Sequence, residues 1–252
     1  MFKRFCISVL TAILLSFSSV GQVEQIKSIG DEAYVAGLLD TAVIHYESIL
    51  DQEYVSAEVQ YNLGNAYFRV GNIPQAILNY ERALKLAPSD EDIQFNLRLA
   101  KLRTVDKIEA VPELWFVTRW NSFYQVLHVD NWAWVMVLMA CFLIGCIMFF
   151  VAASNPFLKK FGFFGSIVFG VMFLLSVYLA QNAYNHLVND NRAVVMQPTL
   201  TVKSSPDKSG NDLFVVHEGL VVQEEDQTGD WRRIKLPDGN TGWVPAGSLE
   251  NI

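Results

Sequence analysis

Residues 57–90 read AEVQYNLGNAYFRVGNIPQAILNYERALKLAPSD, and the spacing of small and aromatic residues in this stretch decides how the first third of the chain folds. Leu63, Gly64 and Tyr67 fall on one amphipathic helix and Ala76, Tyr80 and Ala83 on a second. Gly64 and Ala76 carry the small side chains needed where two helices approach closely, and Leu63, Tyr67 and Tyr80 fill the space beside them. Gly71 allows the turn between the helices, and Pro88 ends the second one. The pattern recurs. Thirty-four positions before Gly64, Gly71, Ala76, Tyr80 and Ala83 stand Gly30, Gly37, Ala42, Tyr46 and Ile49. Thirty-four after Asn62, Leu63 and Arg69 stand Asn96, Leu97 and Arg103, on a helix expected from about Glu91 to Arg103 that would cap the stack. A helical hairpin of this size cannot bury its apolar face alone, so the copies must stack.

The quoted stretch resembles a tetratricopeptide repeat at nearly every signature position, and residues 22–103 are assigned to such a solenoid. In that architecture the first helix of each repeat lines a concave groove. Its candidate peptide-binding residues are Tyr61, Asn62, Asn65, Phe68, Arg69 and Arg103. Asn side chains pair with peptide backbone, Arg forks onto carboxylates, and the aromatic rings add apolar contact. Lys27 and Asn62 match positions with which some such proteins clamp a terminal carboxylate, but Asp31 stands where Asn is expected and would repel that ligand.

Beyond the repeats lie two charge-free apolar runs, 132–153 and 161–180, each long enough to cross a bilayer as helix. The connection 154–160 is short and carries Lys159 and Lys160, which keeps a membrane loop cytoplasmic. The flanking parts then face outward together. Lys3 and Arg4 followed by apolar Phe5 to Phe17 read as a signal peptide, residues 1–21. Residues 104–131, with Trp115, Phe116, Trp120, Phe123, Tyr124 and Leu127, read either as interfacial amphipathic helices or as an extra helix on the stack. Gly162, Ser166 and Gly170 align small side chains on one face of the second span, with Cys141 and Gly145 of the first as the nearest complement.

After a linker at 181–191, residues 192–252 change to short β-branched runs at 193–195, 200–203, 213–216, 220–223, 231–236 and 241–244, the spacing of a small β-barrel. TVKSSPD, VVHEGLVV, GDWRRIKLPDGNTGWVP and SLENI resemble, in order, a bacterial SH3 domain. Trp231 and Trp243 are its landmarks, Trp243 expected in the barrel core. Trp231, Arg232 and Trp243 are the candidate surface, and Asp238-Gly239 the hairpin turn.

The fold class is thus a multidomain membrane protein: an α-helical tetratricopeptide solenoid, a two-helix transmembrane hairpin and a small all-β SH3-like barrel. Residues 22–107 hold 13 acidic and 8 basic side chains and residues 192–252 hold 9 and 6, so neither part carries the basic field that gathers nucleic acid. The outward parts contain no cysteine, and no HExxH, nucleophile elbow or phosphate-cradling glycine loop occurs. No enzyme, metal or cofactor is expected. The order of modules resembles the E component of the Bacteroides aerotolerance family, and that resemblance implies an envelope scaffold. It also implies partners: membrane proteins with von Willebrand A domains and, through them, a MoxR-type AAA ATPase. The alternative is a peptidoglycan-binding sensor or anchor.

Overall fold

The computed structural model describes residues 21–52, 54–108, 115 and 129–252. The signal-peptide reading lies outside these residues except for Gly21, which is helical, as does most of the 104–131 segment. The chain forms two compact units. The first joins the residues before 87, those from Asp90 to Ile108, and those from Asn191 onward; the second contains the apolar hairpin.

In the first unit, helix α1 (21–35) and α2 (Leu39–Leu50) make one helical hairpin and α3 (Ala57–Val70) with α4 (Ile73–Leu86) the next, followed by α5 (Glu91–Lys101). Both turns use a glycine at positive φ, Gly37 at 78° and Gly71 at 91°, where any other residue is strained. Ser56 caps α3 by accepting from the Val59 N–H, and Asp90 caps α5 by accepting from those of Asp92 and Ile93. The degenerate first copy is therefore a real helical pair, and its packing repeats that of the second. A Cβ on Gly30 would stand 2.8 Å from the Tyr46 ring and one on Gly64 2.7 Å from the Tyr80 ring.

This contact sets the sign of a mutation. Alanine normally improves a helix interior over glycine by about 1 kcal/mol. Tyr80 is only 1% exposed and cannot swing aside, so overpacking of about 1–3 kcal/mol outweighs that gain. Gly64→Ala is expected to lower the melting temperature in a circular dichroism melt; a higher one would refute the packing argument.

Residues 192–252 form seven antiparallel strands: β1 Arg192–Val195, β2 Thr199–Lys203, β3 Asp212–His217, β4 Val221–Thr228, β5 Trp231–Lys235, β6 Thr241–Pro245 and β7 Leu249–Asn251. Their order is β3-β2-β6-β5-β4-β1-β7, and no ladder joins the edge strands β3 and β7, so the observed element is an open sheet rather than the closed barrel expected. The core holds Val195, Leu200, Val202, Val216, Val222, Ile234 and Val244. Trp243 is not in it. Both landmark tryptophans are half-buried, because alternation gives the inward positions of β5 and β6 to Ile234 and Val244. Gly239 has φ 92° in the β5–β6 turn, as the Asp-Gly pair predicts.

The second unit holds α6 (Val129–Ala152) and α7 (Pro156–Val188), each long and apolar enough to cross a membrane. The turn is shorter than expected. Asn155 caps α7 at Phe157, so Lys159 and Lys160 lie in its first turns instead of in a loop, and helix continues to Val188 through most of the expected linker. The helices run antiparallel: Phe142 stacks on Phe169 at 5.0 Å, and Phe150 meets Phe163 at 6.0 Å. Gly162 faces the Phe150 backbone and Gly170 faces Leu143, while Cys146 lies against Gly165, so Gly162 and Gly170 meet Phe150 and Leu143 rather than Cys141 and Gly145. Large apolar side chains such as Val151, Phe161 and Leu174 are exposed along both helices, as lipid-facing residues would be.

Candidate functional site

The candidate groove is lined by α1, α3 and α5, and its polar side chains form two ladders offset by one repeat. In the first, Asp31 Oδ1 accepts from the Tyr46 hydroxyl at 2.6 Å and from Asn62 Nδ2 at 3.1 Å. In the second, Asn65 Oδ1 accepts from the Tyr80 hydroxyl at 2.7 Å and from Asn96 Nδ2 at 3.0 Å, while Asn96 also donates to the Tyr61 hydroxyl at 2.7 Å. Asn65, Tyr80 and Asn96 sit thirty-four positions after Asp31, Tyr46 and Asn62. Burial and, for Tyr46, the Asp31 carboxylate push both tyrosine hydroxyls well above the usual phenol range, so each remains a donor.

Asp31 is thereby explained. It is an acceptor in the ladder, equivalent to Asn65, and it also draws Lys27 Nζ to 3.3 Å. Lys27 lies 2.8 Å from Glu58 as well, and Glu58 first, then Asp31, hold its ammonium above the usual lysine range. The two side chains that matched a terminal-carboxylate clamp, Lys27 and Asn62, already serve a carboxylate of the chain itself. Beside them a pocket of about 200 Å³ opens between Asp31, Tyr34, Val35, Tyr46, Asn62 and Asn65.

The arginines repeat too. The Arg69 guanidinium lies 4.6 Å from the Tyr34 ring centroid and donates to the Tyr34 carbonyl at 3.1 Å; Arg103 lies 5.2 Å from the ring of Phe68. Each of the six groove residues expected from the sequence meets a residue of a neighbouring repeat. Asn62 and Asn65 spend bonds on neighbouring helices, and the two arginines stay exposed.

The sheet surface divides differently. Arg232 is tied to Glu224 and Asn251 with its side chain only 19% exposed, so it braces the sheet rather than presenting itself. Arg233 is the solvent-facing one, in register with Trp243, which also pairs with Lys203. Trp231 pairs with Pro245 one row further along.

One cluster escaped the sequence reading. Glu81, 1% exposed on α4, takes Lys101 Nζ at 2.6 Å on one carboxylate oxygen and Arg192 NH1 at 2.8 Å on the other. Lys101 belongs to α5 and Arg192 to β1, so one carboxylate joins stack and sheet. Around it Ile77 and Tyr80 of the stack pack in one core with Val194 and Ile252. Arg82 donates to the Asn251 carbonyl at 2.6 Å and Lys85 to the Ile252 main-chain oxygen at 2.9 Å. Asp106 accepts from the His217 N–H at 2.6 Å, and Ile108 packs against the sheet core. In sequence, Glu81 with Lys85 four residues on reads as an ordinary exposed helix pair.

Residues 57–90 match the Tetratricopeptide repeat family. No curated protein matches the chain. Repeats of this family mediate protein–protein interaction in general, in keeping with a groove of paired aromatic, amide and guanidinium groups.

Proposed function

We propose that the protein is a non-enzymatic membrane scaffold whose repeat groove holds a protein partner and whose hairpin anchors it in a bacterial inner membrane. One observation carries the reading: the segments before and after the two apolar helices pack into a single compact unit around Glu81. Two crossings return a chain to its starting side, which is what that shared core requires if both helices span. Lys159 and Lys160 at the turn favour the cytoplasm for the hairpin tip and the periplasm for the unit. The open sheet with its SH3-like motifs is then the rigid end of the stack. The resemblance to the aerotolerance family suggests von Willebrand A membrane proteins as partners and, through them, a MoxR-type ATPase.

Purification of the tagged chain from mild detergent is expected to recover a von Willebrand A protein, and recovery of none counts against the scaffold. Topology is tested by cysteine labelling of intact cells at Ser89 and Ser209, both exposed; labelling on opposite faces, or neither labelled from outside, defeats it. A second reading, cell-wall binding, draws on Trp231 and Trp243, which stay half-exposed and free to stack on sugar rings. Retention of the detergent-solubilised chain on purified sacculi, lost in Trp231→Ala/Trp243→Ala, would favour it.

A further inference from the structure

The groove reading does not say what kind of segment the groove takes, but the arginine pair does. Arg69 and Arg103 are exposed and held against rings on the first helix of the preceding repeat, and among the described residues neither meets a carboxylate. Stacking fixes a guanidinium plane without neutralising it, so its donor edge stays available for a planar anion. Neighbouring helices pack roughly 10 Å apart, a spacing that residues two to four apart on an extended chain can span.

The apolar surroundings point the same way. The positions equivalent to Tyr61 and Phe68 in the next unit are Phe95 on α5 and Leu102 just after it, and they are 54% and 70% exposed. At the opposite end the acidic groups Asp31 and Glu58 share the single cation Lys27, so the groove runs from a net acidic end to one where the arginines meet no carboxylate among the described residues.

We infer that the groove takes an extended acidic segment of a partner protein, with carboxylates two to four residues apart seated on Arg69 and Arg103 and apolar side chains against Phe95 and Leu102. This rests on the proposed docking role and names the partner's chemistry.

The test uses the full chain in lipid nanodiscs, titrated by fluorescence anisotropy with peptide pools about 12 residues long, roughly 40 Å extended. One pool alternates Glu with Leu or Phe; the others carry Gln or Lys in place of Glu. The Glu pool is expected to bind about tenfold tighter than the Gln pool, with a preference that shrinks as salt rises. Arg69→Gln/Arg103→Gln is expected to erase the preference while the melting temperature holds, since both side chains are exposed.

Equal binding of the Glu and Gln pools overturns the inference, as does a preference that survives the double substitution. Either result leaves peptide docking itself standing. No binding of any pool, with a von Willebrand A protein still recovered from membranes, also overturns the acidic-segment inference alone. Failure of that recovery instead removes the docking role.

Discussion

Replacing Lys101 and Arg192 together by Met is expected to destabilise the first unit by about 3–5 kcal/mol, more than any single surface change. The asymmetry of burial decides the size. The Glu81 side chain is 2% exposed, whereas those of Lys101 and Arg192 are 45% and 37% exposed. Taking away the cations strands a carboxylate that water cannot reach; taking away the carboxylate leaves cations that can rehydrate. Glu81→Gln is therefore expected to cost less, about 1–3 kcal/mol, because the amide keeps its size and one acceptor. Chemical denaturation of the three chains in detergent measures the order. A double cation variant as stable as wild type would mean that the apolar contacts of Ile77, Val194 and Ile252 dock the sheet alone.

Alkaline pH is expected to unfold the first unit from within its repeat stack. Tyr46 and Tyr80 are each 1% exposed, and their folded-state pKa values are raised above the ordinary phenol value of about 10 by burial, with Asp31 adding to the effect at Tyr46. A raised folded pKa means that the native state holds the proton which the unfolded chain releases. The stabilisation is thus complete below pH of about 10 and lost as pH rises beyond it, at roughly 1.4 kcal/mol per pH unit for each ring. Two rings lose about 5 kcal/mol by pH of about 12, on the order of a whole domain's stability. Helical circular dichroism should fall together with the appearance of tyrosinate absorbance. In Tyr46→Phe/Tyr80→Phe the loss should begin at higher pH, and an unchanged onset would remove these hydroxyls from the account.

Much of the groove was legible because repetition leaves a mark in the chain. Gly30 and Gly64, Tyr46 and Tyr80, Arg69 and Arg103 recur at one period, and their contacts recur with them. Asp31 read as a misfit because its part in the ladder depends on Tyr46, fifteen residues away on the next helix. The strands were found to within a few residues, apart from β4, which runs on to Thr228, and β7. Trp243 was expected in the core because size suggests burial, whereas alternation set against Val244 sends it outward. The hairpin turn was drawn too long because Lys159 and Lys160 look like loop residues, yet the Asn155 cap and Pro156 begin a helix ahead of them.

The sequence by itself determined the elements: the paired helices, the two apolar runs and the short strands, all properties of neighbours along the chain. Only the tertiary structure decided that the stack and the sheet are one body, since Glu81 finds Arg192 across 111 residues and the whole hairpin. Local pattern reports which face of an element avoids water, but a buried charge is recognised only by the cations that close over it.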